Sequence, residues 1–267
     1  MSENACPMDR PTEPAPDLSS PDLSAAKTCI VTGASRGIGH STARYFRDRG
    51  WKIITCSRDE APAECQRDPY WTAHIPTDLF DPASVKAFID EANALLDGGP
   101  VHALINNAGW SPKTDFKERL GCLNGDIDAW QQVFELNCFA PLRLARGFAA
   151  ALHKGKGSIV NITSIAGHSI HPFAGSAYST SKAALSALTR EMAADFAQLG
   201  VRVNAVAPGE IETAMLSPEY EMLLPRIPMH RLGKPEDVAS TVFALCSNQF
   251  GYVTGTEIFV TGGQHLY

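Results

Sequence analysis

The sequence lacks an apolar run long enough to cross a bilayer, and it lacks the excess of basic residues that nucleic-acid partners require. Its formal net charge is −6 over 267 residues, which also disfavours an anionic membrane surface. The first 25 residues have no apolar segment of the kind that a secretory signal contains. We therefore expect a cytoplasmic protein with neither nucleic-acid nor membrane partners.

Cysteine is present, but without the spacing of a metal site. The seven cysteines include no C-x-x-C pair, and Cys29, Cys56, Cys138 and Cys246 lie among apolar residues. An odd number without paired spacing predicts neither a zinc site nor a disulfide framework. We interpret these four as buried thiols in a reducing compartment, and we expect no bound metal.

Composition divides the chain into a short tail and one folded domain. Residues 1–25 are acidic and rich in Pro and Ser, a composition typical of disordered segments, with a docking segment for a partner as the alternative. The rest is apolar enough for a large core, since 44% of the chain is hydrophobic. Because no repeat or linker interrupts it, we predict a single domain over residues 26–267.

Short β-rich runs alternate with longer segments whose apolar residues recur at helical spacing. The predicted strands are residues 28–32, 52–56, 72–75, 102–105, 157–163, 201–207 and 257–261. The predicted helices are residues 37–49, 82–96, 127–153, 176–199 and 235–247. Nearly continuous apolar strands between helices predict the α/β class, with a doubly wound, seven-stranded parallel sheet covered on both faces. Ligands of such sheets gather at the carboxyl ends of the strands.

A glycine-rich turn follows the first predicted strand. Gly33, Gly37 and Gly39 have the spacing G-x-x-x-G-x-G and precede a helical pattern that continues from His40. The first glycine permits a tight turn, the second admits backbone N–H groups to a pyrophosphate, and the third allows the helix to pack on the strand. Because a helix N-terminus attracts anions, the pattern predicts a dinucleotide cradle, although such turns also occur without ligands.

Tyr178 and Lys182 are four residues apart in the predicted helix 176–199, and this spacing places them on one face. A nearby ammonium stabilises a phenolate and lowers the pKa of the tyrosine from about 10 towards working pH. Such a tyrosine donates a proton to a carbonyl or removes one from an alcohol. The alternative is a chance pair, because the chain has six tyrosines.

Other polar residues are predicted to lie near the carboxyl edge of the sheet. Ser164 directly follows the predicted strand 157–163. Its hydroxyl could hydrogen-bond a carbonyl oxygen on which charge develops; the alternative is that Ser164 is an ordinary turn serine. Asn106 and Asn107 follow the fourth strand; we favour a binding role for Asn107 and weigh binding and structural roles equally for Asn106. Asn137 lies inside a predicted helix, where it either faces solvent or kinks the helix around a water.

Together with Pro208-Gly209, these motifs resemble those of the short-chain dehydrogenase/reductase family, in the same order and over Lys27 to Tyr267. Residues 171–175 and 262–265 resemble, more narrowly, a FixR-like rhizobial subgroup. The resemblance implies a Rossmann fold and an NAD(P)-dependent oxidoreductase acting on CH–OH groups. It also implies a homotetramer paired through the helices 127–153 and 176–199 and through the last strand and helix.

The resemblance implies a role for each motif residue. Tyr178 is then the catalytic acid/base and Ser164 polarises the substrate carbonyl. Lys182 holds the nicotinamide ribose and tunes the tyrosine, while Asn137 positions a relay water. The implied cofactor-binding residues are Gly33, Ser35, Arg36, Gly37, Ile38, Gly39, Ser57, Arg58, Asp78, Leu79, Asn107, Ala108, Gly109, Thr163, Tyr178, Lys182, Pro208, Gly209, Ile211 and Thr213.

Charge at the end of the second strand indicates which dinucleotide binds. NAD-binding sheets place a carboxylate there, whereas this chain has Ser57, followed by Arg58 and accompanied by Arg36 in the glycine loop. Two guanidiniums and a hydroxyl suit a 2′-phosphate. We therefore expect NADP(H); Asp59, which we expect to point away, keeps NAD(H) as the alternative.

Three residues in the predicted substrate region each have two interpretations. His168 and His171 either line the substrate pocket or are solvated, and Glu210 either favours a polar substrate or is a solvated carboxylate. Residues 213–228 are expected to form a mobile apolar lid. We expect reduction of a small-molecule carbonyl, with 3-oxoacyl compounds among the candidates. Oxidation of an alcohol or polyol and a non-catalytic dinucleotide-binding regulator are the alternatives.

Overall fold

A computed structural model of the chain describes residues 25–60, 65–113, 119–124, 126–213 and 223–266. The predicted tail, apart from Ala25, and the central part of the predicted lid, residues 214–222, lie outside the described residues.

Seven parallel strands form one sheet, in the order β3-β2-β1-β4-β5-β6-β7. The strands are β1 (Thr28–Thr32), β2 (Lys52–Ser57), β3 (Trp71–Pro76), β4 (Ala103–Asn106), β5 (Ser158–Ile162), β6 (Arg202–Pro208) and β7 (Glu257–Val260). This topology confirms the predicted doubly wound Rossmann sheet. The strand order reverses between β1 and β4, which is where such sheets open a ligand crevice at their carboxyl ends.

Helices cover both faces of the sheet. They are α1 (Gly37–Arg47), α2 (Pro82–Leu96), α3 (Ile127–Phe134), α4 (Ala140–Gly147), α5 (Ala149–Gly155), α6 (Ser176–Ala197) and α7 (Pro235–Cys246). Because side chains alternate along a strand, Ile30 packs into the core beneath α2, α4 and α6, and its neighbours Cys29 and Val31 pack into the core beneath α1 and α7. Each face therefore buries its own apolar layer.

The prediction of one helix over residues 127–153 is wrong. The chain forms α3, then a π-helical turn at Glu135–Phe139, then α4, and it breaks again at Phe148 before α5. Pro141 has no N–H to donate to the carbonyl of Asn137 four residues earlier, so regular α-helical bonding fails at this point. The proline was the sequence signal for the interruption.

The described cysteines are all free thiols, and Cys29, Cys56, Cys138 and Cys246 are buried as predicted. Within the described ranges, no three His, Cys, Asp or Glu side chains lie close enough together to hold a metal ion. None of the helices described by the structure combines the length and the apolar character that crossing a membrane requires.

Candidate active site

A cavity of about 400 Å³ lies along the carboxyl ends of the strands. It is bordered by the turn after β1, the end of β2, the loops after β3, β4, β5 and β6, and the start of α6. The predicted site residues that line it are Gly33, Ser35, Arg36, Gly37, Ile38, Ser57, Arg58, Leu79, Asn107, Ala108, Gly109, Thr163, Ser164, Tyr178, Lys182, Pro208, Gly209, Ile211 and Thr213. Three others, Gly39, Asp78 and Asn137, are described by the structure but do not border the cavity.

The three glycines of the first turn serve two different purposes. Gly33 and Gly37 adopt φ of 67° and 59°, in the left-handed region that favours glycine. A Cβ on Gly39 would lie 2.3 Å from the carbonyl oxygen of Gly33, so this position allows α1 to pack against the strand end. Gly39 thus acts through packing, as its place in the motif predicts.

The Asn-Asn pair after β4 is mostly structural. Asn107 Nδ2 donates to the carbonyl oxygens of Thr32 (2.9 Å) and Gly33 (3.1 Å), which fixes the glycine turn. Asn106 Nδ2 donates to Asn161 Oδ1 at 2.8 Å within the core. The structural interpretation therefore holds for Asn106, while Asn107 borders the cavity with its amide donors already used.

Asn137 is completely buried in the π-helical turn. Its Oδ1 accepts from the backbone N–H of Trp110 at 2.9 Å, and its Nδ2 donates to the Trp110 carbonyl and to Ser181 Oγ, both at 3.0 Å. The solvent-facing alternative is therefore wrong. The side chain ties the loop after β4 to α6, the helix that carries Tyr178.

Ser164, Tyr178 and Lys182 meet at one wall of the cavity. Ser164 Oγ accepts from the N–H of Ala166 at 3.1 Å, and Ser164 lies close enough to Tyr178 to lower the pKa of the phenol. Lys182 is buried and its Nζ donates to the carbonyl oxygen of Ile162 at 2.7 Å. These bonds hold the hydroxyl of Ser164 and the ammonium of Lys182 in place.

The pKa of Tyr178 is raised above its ordinary value, contrary to the predicted lowering. Burial is the largest cause, although part of the ring borders the cavity; the side chain of Ser164 lowers the pKa and the charge of Glu210 raises it. Lys182 Nζ donates to the carbonyl oxygen of Ile162 and lies 5.7 Å from the centre of the phenol ring. Burial also lowers the pKa of Lys182 itself to about 8, with a small opposing effect of Cys138.

The end of the cavity at β2 is rich in charge. Arg36 Nη1 lies 3.5 Å from Asp59 Oδ2, with both side chains largely exposed, and the Arg58 guanidinium lies 5.5 Å from the ring centre of Phe80. The expectation that Asp59 points away is wrong, because Asp59 lines the cavity. The hydroxyl of Ser57 donates to the backbone carbonyl of Asp59 at 2.6 Å and so holds the chain at the cavity rim.

Asp78 has a local structural role. Its Oδ1 accepts from the backbone N–H of Phe80 at 3.0 Å, and its own N–H donates to Ser84 Oγ at 3.0 Å. The carboxylate therefore shapes the turn after β3, and Leu79 and Phe80 border the cavity instead.

On the side of the cavity away from β2, His171 and Glu210 contact each other. The sequence had not decided whether either residue lines the pocket or faces solvent. His171 Nε2 lies 2.6 Å from Glu210 Oε1, and the two side chains are only 13% and 10% exposed. Both line the cavity, so the solvated interpretation is wrong for each. His168, in contrast, contacts Glu257 at 2.9 Å, away from the cavity.

Several lining residues carried no sequence signal of their own. Most flank a motif residue, and their types are ordinary in loops and strand ends. They are Thr77, Phe80, Trp110, Ser111, Lys113, Leu136, Ile162, Ile165, Ala166, Phe173 and Ala174. The predicted lid is described only at its ends, where Thr213 lines the cavity and Leu223 and Ile227 are buried.

Known proteins with similar sequences and structures are oxidoreductases or their relatives. A family model described as enoyl-(acyl carrier protein) reductase matches residues 33–265. Protein FixR of Bradyrhizobium diazoefficiens is 51% identical over 92% of this chain and 89% of its own length, which confirms the FixR-like resemblance. Galactitol 2-dehydrogenase (L-tagatose-forming) of Cereibacter sphaeroides is 36% identical over 89% of this chain and 94% of its own.

Among solved structures, a short-chain oxidoreductase from Brucella ovis, in complex with a partially ordered NAD, is similar at a TM-score of 0.75. It is 44% identical, and the match covers 88% of this chain and 99% of that one. Sequence, fold and the arrangement of the motif residues agree: the chain is an oxidoreductase that belongs to the short-chain dehydrogenase/reductase family.

Proposed function

We propose that the protein is an NADP(H)-dependent carbonyl reductase in which Tyr178 is the acid/base. The observation that carries this proposal is the meeting of Tyr178, Ser164 and Lys182 at one wall of a cavity that the glycine turn borders at its other side. Ser164 and Tyr178 border the same cavity, and this supports a shared position for a substrate oxygen.

The residues of the turn after β1 fit a dinucleotide. Gly33 and Gly37 take left-handed backbone conformations and line the cavity. No side chain caps the N-terminus of α1, which has no acidic residue in its first turn. Its free N–H groups suit the pyrophosphate. When bound, the dinucleotide supplies or accepts the hydride.

The chain's own residues then handle the oxygen and its proton. Ser164 Oγ donates a hydrogen bond to the carbonyl oxygen as negative charge develops there. Tyr178 Oη gives its proton to that oxygen, and the Lys182 ammonium binds the ribose. Burial raises the pKa of Tyr178, which agrees with a role as proton donor to the carbonyl oxygen.

Oxidation of an alcohol or polyol is the second candidate. Two observations favour it: the carboxylate of Glu210 lies in the cavity, and one similar protein is named galactitol 2-dehydrogenase. Comparing initial rates in the two directions at pH 7 distinguishes the candidates, since the first requires the carbonyl to be the faster substrate.

Replacing Tyr178 with Phe tests the acid/base role. We expect carbonyl reduction to fall by about 10²–10⁴-fold, because the proton donor is lost, while NADPH affinity stays nearly unchanged because the ring still packs. Dinucleotide absorbance measures the rate, and equilibrium titration measures the affinity. A Tyr178→Phe protein with most of its activity would show that the Tyr/Lys spacing is accidental.

Lys182 predicts a pH dependence of dinucleotide binding. Its pKa of about 8 means that the ammonium is present below this pH and is lost above it. Since an ammonium is the stronger donor to a ribose hydroxyl, we expect the Kd for NADPH to rise as pH increases through 8. In Lys182→Met, binding is weaker throughout and lacks this inflection. Titration between pH 6.5 and 9.5 checks it, and a flat wild-type profile would contradict it.

We propose a preference for NADP(H) over NAD(H) because Arg36 and Arg58 outnumber Asp59 at the β2 end of the cavity. The ion pair between Arg36 and Asp59 is exposed, so a 2′-phosphate can compete for this guanidinium at little cost. The carboxylate of Asp59 and the NAD of the Brucella ovis structure favour the alternative.

Replacing Arg58 with Asp tests the preference. A charge-assisted bond to phosphate contributes about 1.5–3 kcal/mol, so the wild type should bind NADPH at least a few-fold more tightly than NADH, and Arg58→Asp should invert the order. Arg44→Asp, on the exposed side of α1, is the matched control and should keep the wild-type order. Equal wild-type affinities would refute the proposal.

We further propose that residues 26–267 are one domain, that it forms a cytoplasmic homotetramer, and that residues 1–25 are dispensable. The half-buried edge strand β7 and the exposed Ile127 and Phe139 support self-association. The free thiols support a reducing compartment. Light scattering at micromolar concentration should give four times the chain mass, with or without residues 1–25; a monomer would refute it.

A further inference from the structure

Glu210 is a nearly enclosed carboxylate on the substrate side of the cavity. It follows Pro208-Gly209 directly, its side chain is 10% exposed, and it borders the cavity together with Tyr178. Its one hydrogen-bond partner in the described part of the chain is His171, through Oε1. Enclosing a carboxylate with one partner costs free energy, so its presence in this position calls for a ligand that completes its bonding.

The hydrogen bonds of His171 assign its proton. The backbone N–H groups of Phe173 and Ala174 point at Nδ1, at 3.3 and 3.2 Å, so Nδ1 is an acceptor and carries no hydrogen. Nε2 then holds the ring's one N–H and donates it to Glu210 Oε1 at 2.6 Å. A neutral imidazole orients the carboxylate and leaves its negative charge uncompensated.

The loop that carries His171 is anchored on its other side. Arg119 Nε donates to the carbonyl oxygen of Ala174 at 2.6 Å, and Arg119 Nη2 donates to Ser176 Oγ at 3.3 Å. Lys113 donates to the carbonyl oxygen of Phe173. The position of His171, and through it that of Glu210, is therefore set before any substrate arrives.

The carboxylate lies within electrostatic reach of the chemistry, because its charge contributes to raising the pKa of Tyr178. Among the described residues that line this side of the cavity, Lys113 and Glu210 carry one formal charge of each sign. An uncharged substrate with hydrogen-bond donors fits this balance better than an ammonium or a carboxylate does, and an apolar ketone would leave Glu210 unsatisfied.

We propose that Glu210 is a specificity-determining residue that accepts a hydrogen bond from a substrate hydroxyl close to the reacting carbon, and that His171 is its positioning residue. The substrate is then a hydroxylated carbonyl compound, or the corresponding diol in the reverse direction. This inference rests on the proposed function, since it deepens the account of the same site.

The test compares substrates that differ in one group. Butan-2-one, hydroxyacetone and aminoacetone carry CH₃, OH and NH₃⁺ at the same position, and butan-2-ol and propane-1,2-diol form the matched pair for oxidation. We expect full-length wild type to prefer the hydroxylated member of each pair by at least tenfold in kcat/KM. Loss of a hydrogen bond to a charged group corresponds to roughly 10- to 150-fold, so Glu210→Leu should lose that preference. The preference is a ratio of kcat/KM values within one variant, so it does not depend on the overall rate of that variant.

Conservative variants separate recognition from folding. Glu210→Gln keeps the shape and a neutral acceptor, so its preference should fall between those of wild type and Glu210→Leu. Glu212→Gln, which changes an exposed carboxylate two residues away, should behave as wild type. His171→Gln retains an N–H donor for Glu210 and should keep the preference, whereas His171→Leu should lose it.

Three results would overturn the inference. They are an unchanged preference in Glu210→Leu, equal wild-type rates on butan-2-one and hydroxyacetone, and a preference for aminoacetone, which would make the site a cation site. If these occur while Tyr178→Phe still abolishes turnover, the proposed function stands and the inference alone fails. If wild type converts none of the five compounds, the proposed function is wrong, and the inference, which rests on it, is wrong as well.

Discussion

The contact between the ends of β1 and β4 is the constraint on which the site depends. Thr32 Oγ1 accepts from the backbone N–H groups of Asn107 and Ala108 at 3.0 and 3.1 Å, and the Asn107 amide returns bonds to Thr32 and Gly33. These bonds lock two loops that leave the sheet towards opposite faces. The crevice between them is thereby held open, and Gly39 lets α1 approach it closely.

A second constraint positions the chemistry. The interruption at Asn137 costs regular helical bonds, but it places a buried amide where it bonds both the loop at Trp110 and Ser181 of α6. Tyr178 and Lys182 belong to that same helix, so the π-helical turn is tied to the helix that carries both residues. Ser164, at the end of β5, completes the set from the other side.

The two ends of the cavity differ in their electrostatics. Arg36 and Arg58 at the β2 end suit the phosphates of a dinucleotide, whereas Glu210 at the substrate end suits hydrogen-bond donors. Between them, burial raises the pKa of Tyr178 and lowers that of Lys182, because both charged forms lose hydration in the same place. Tyr178 and Lys182 thus lie buried between an end with two guanidiniums and an end with a carboxylate.

The strands, the glycine turn and the spacing of Tyr178 and Lys182 could be predicted from the sequence alone. The alternation of apolar strands with helical segments predicted all seven strands, because local periodicity reports burial directly. The spacing of Gly33, Gly37 and Gly39 likewise predicted the turn, since few other residues adopt its backbone conformations. The spacing of Tyr178 and Lys182 predicted that they share one face of a helix, and both line the cavity from α6.

Contacts between residues far apart in the sequence, and the pKa shifts that result from them, became visible only in the tertiary structure. The pairing of His171 with Glu210 joins two loops 39 residues apart, and no local pattern encodes it. The place of Asp59 at the cavity rim follows from a hydroxyl bond to its backbone, and the raised pKa of Tyr178 follows from surroundings supplied by several elements. Burial and charge are sums over neighbours in space, so only the folded chain determines them.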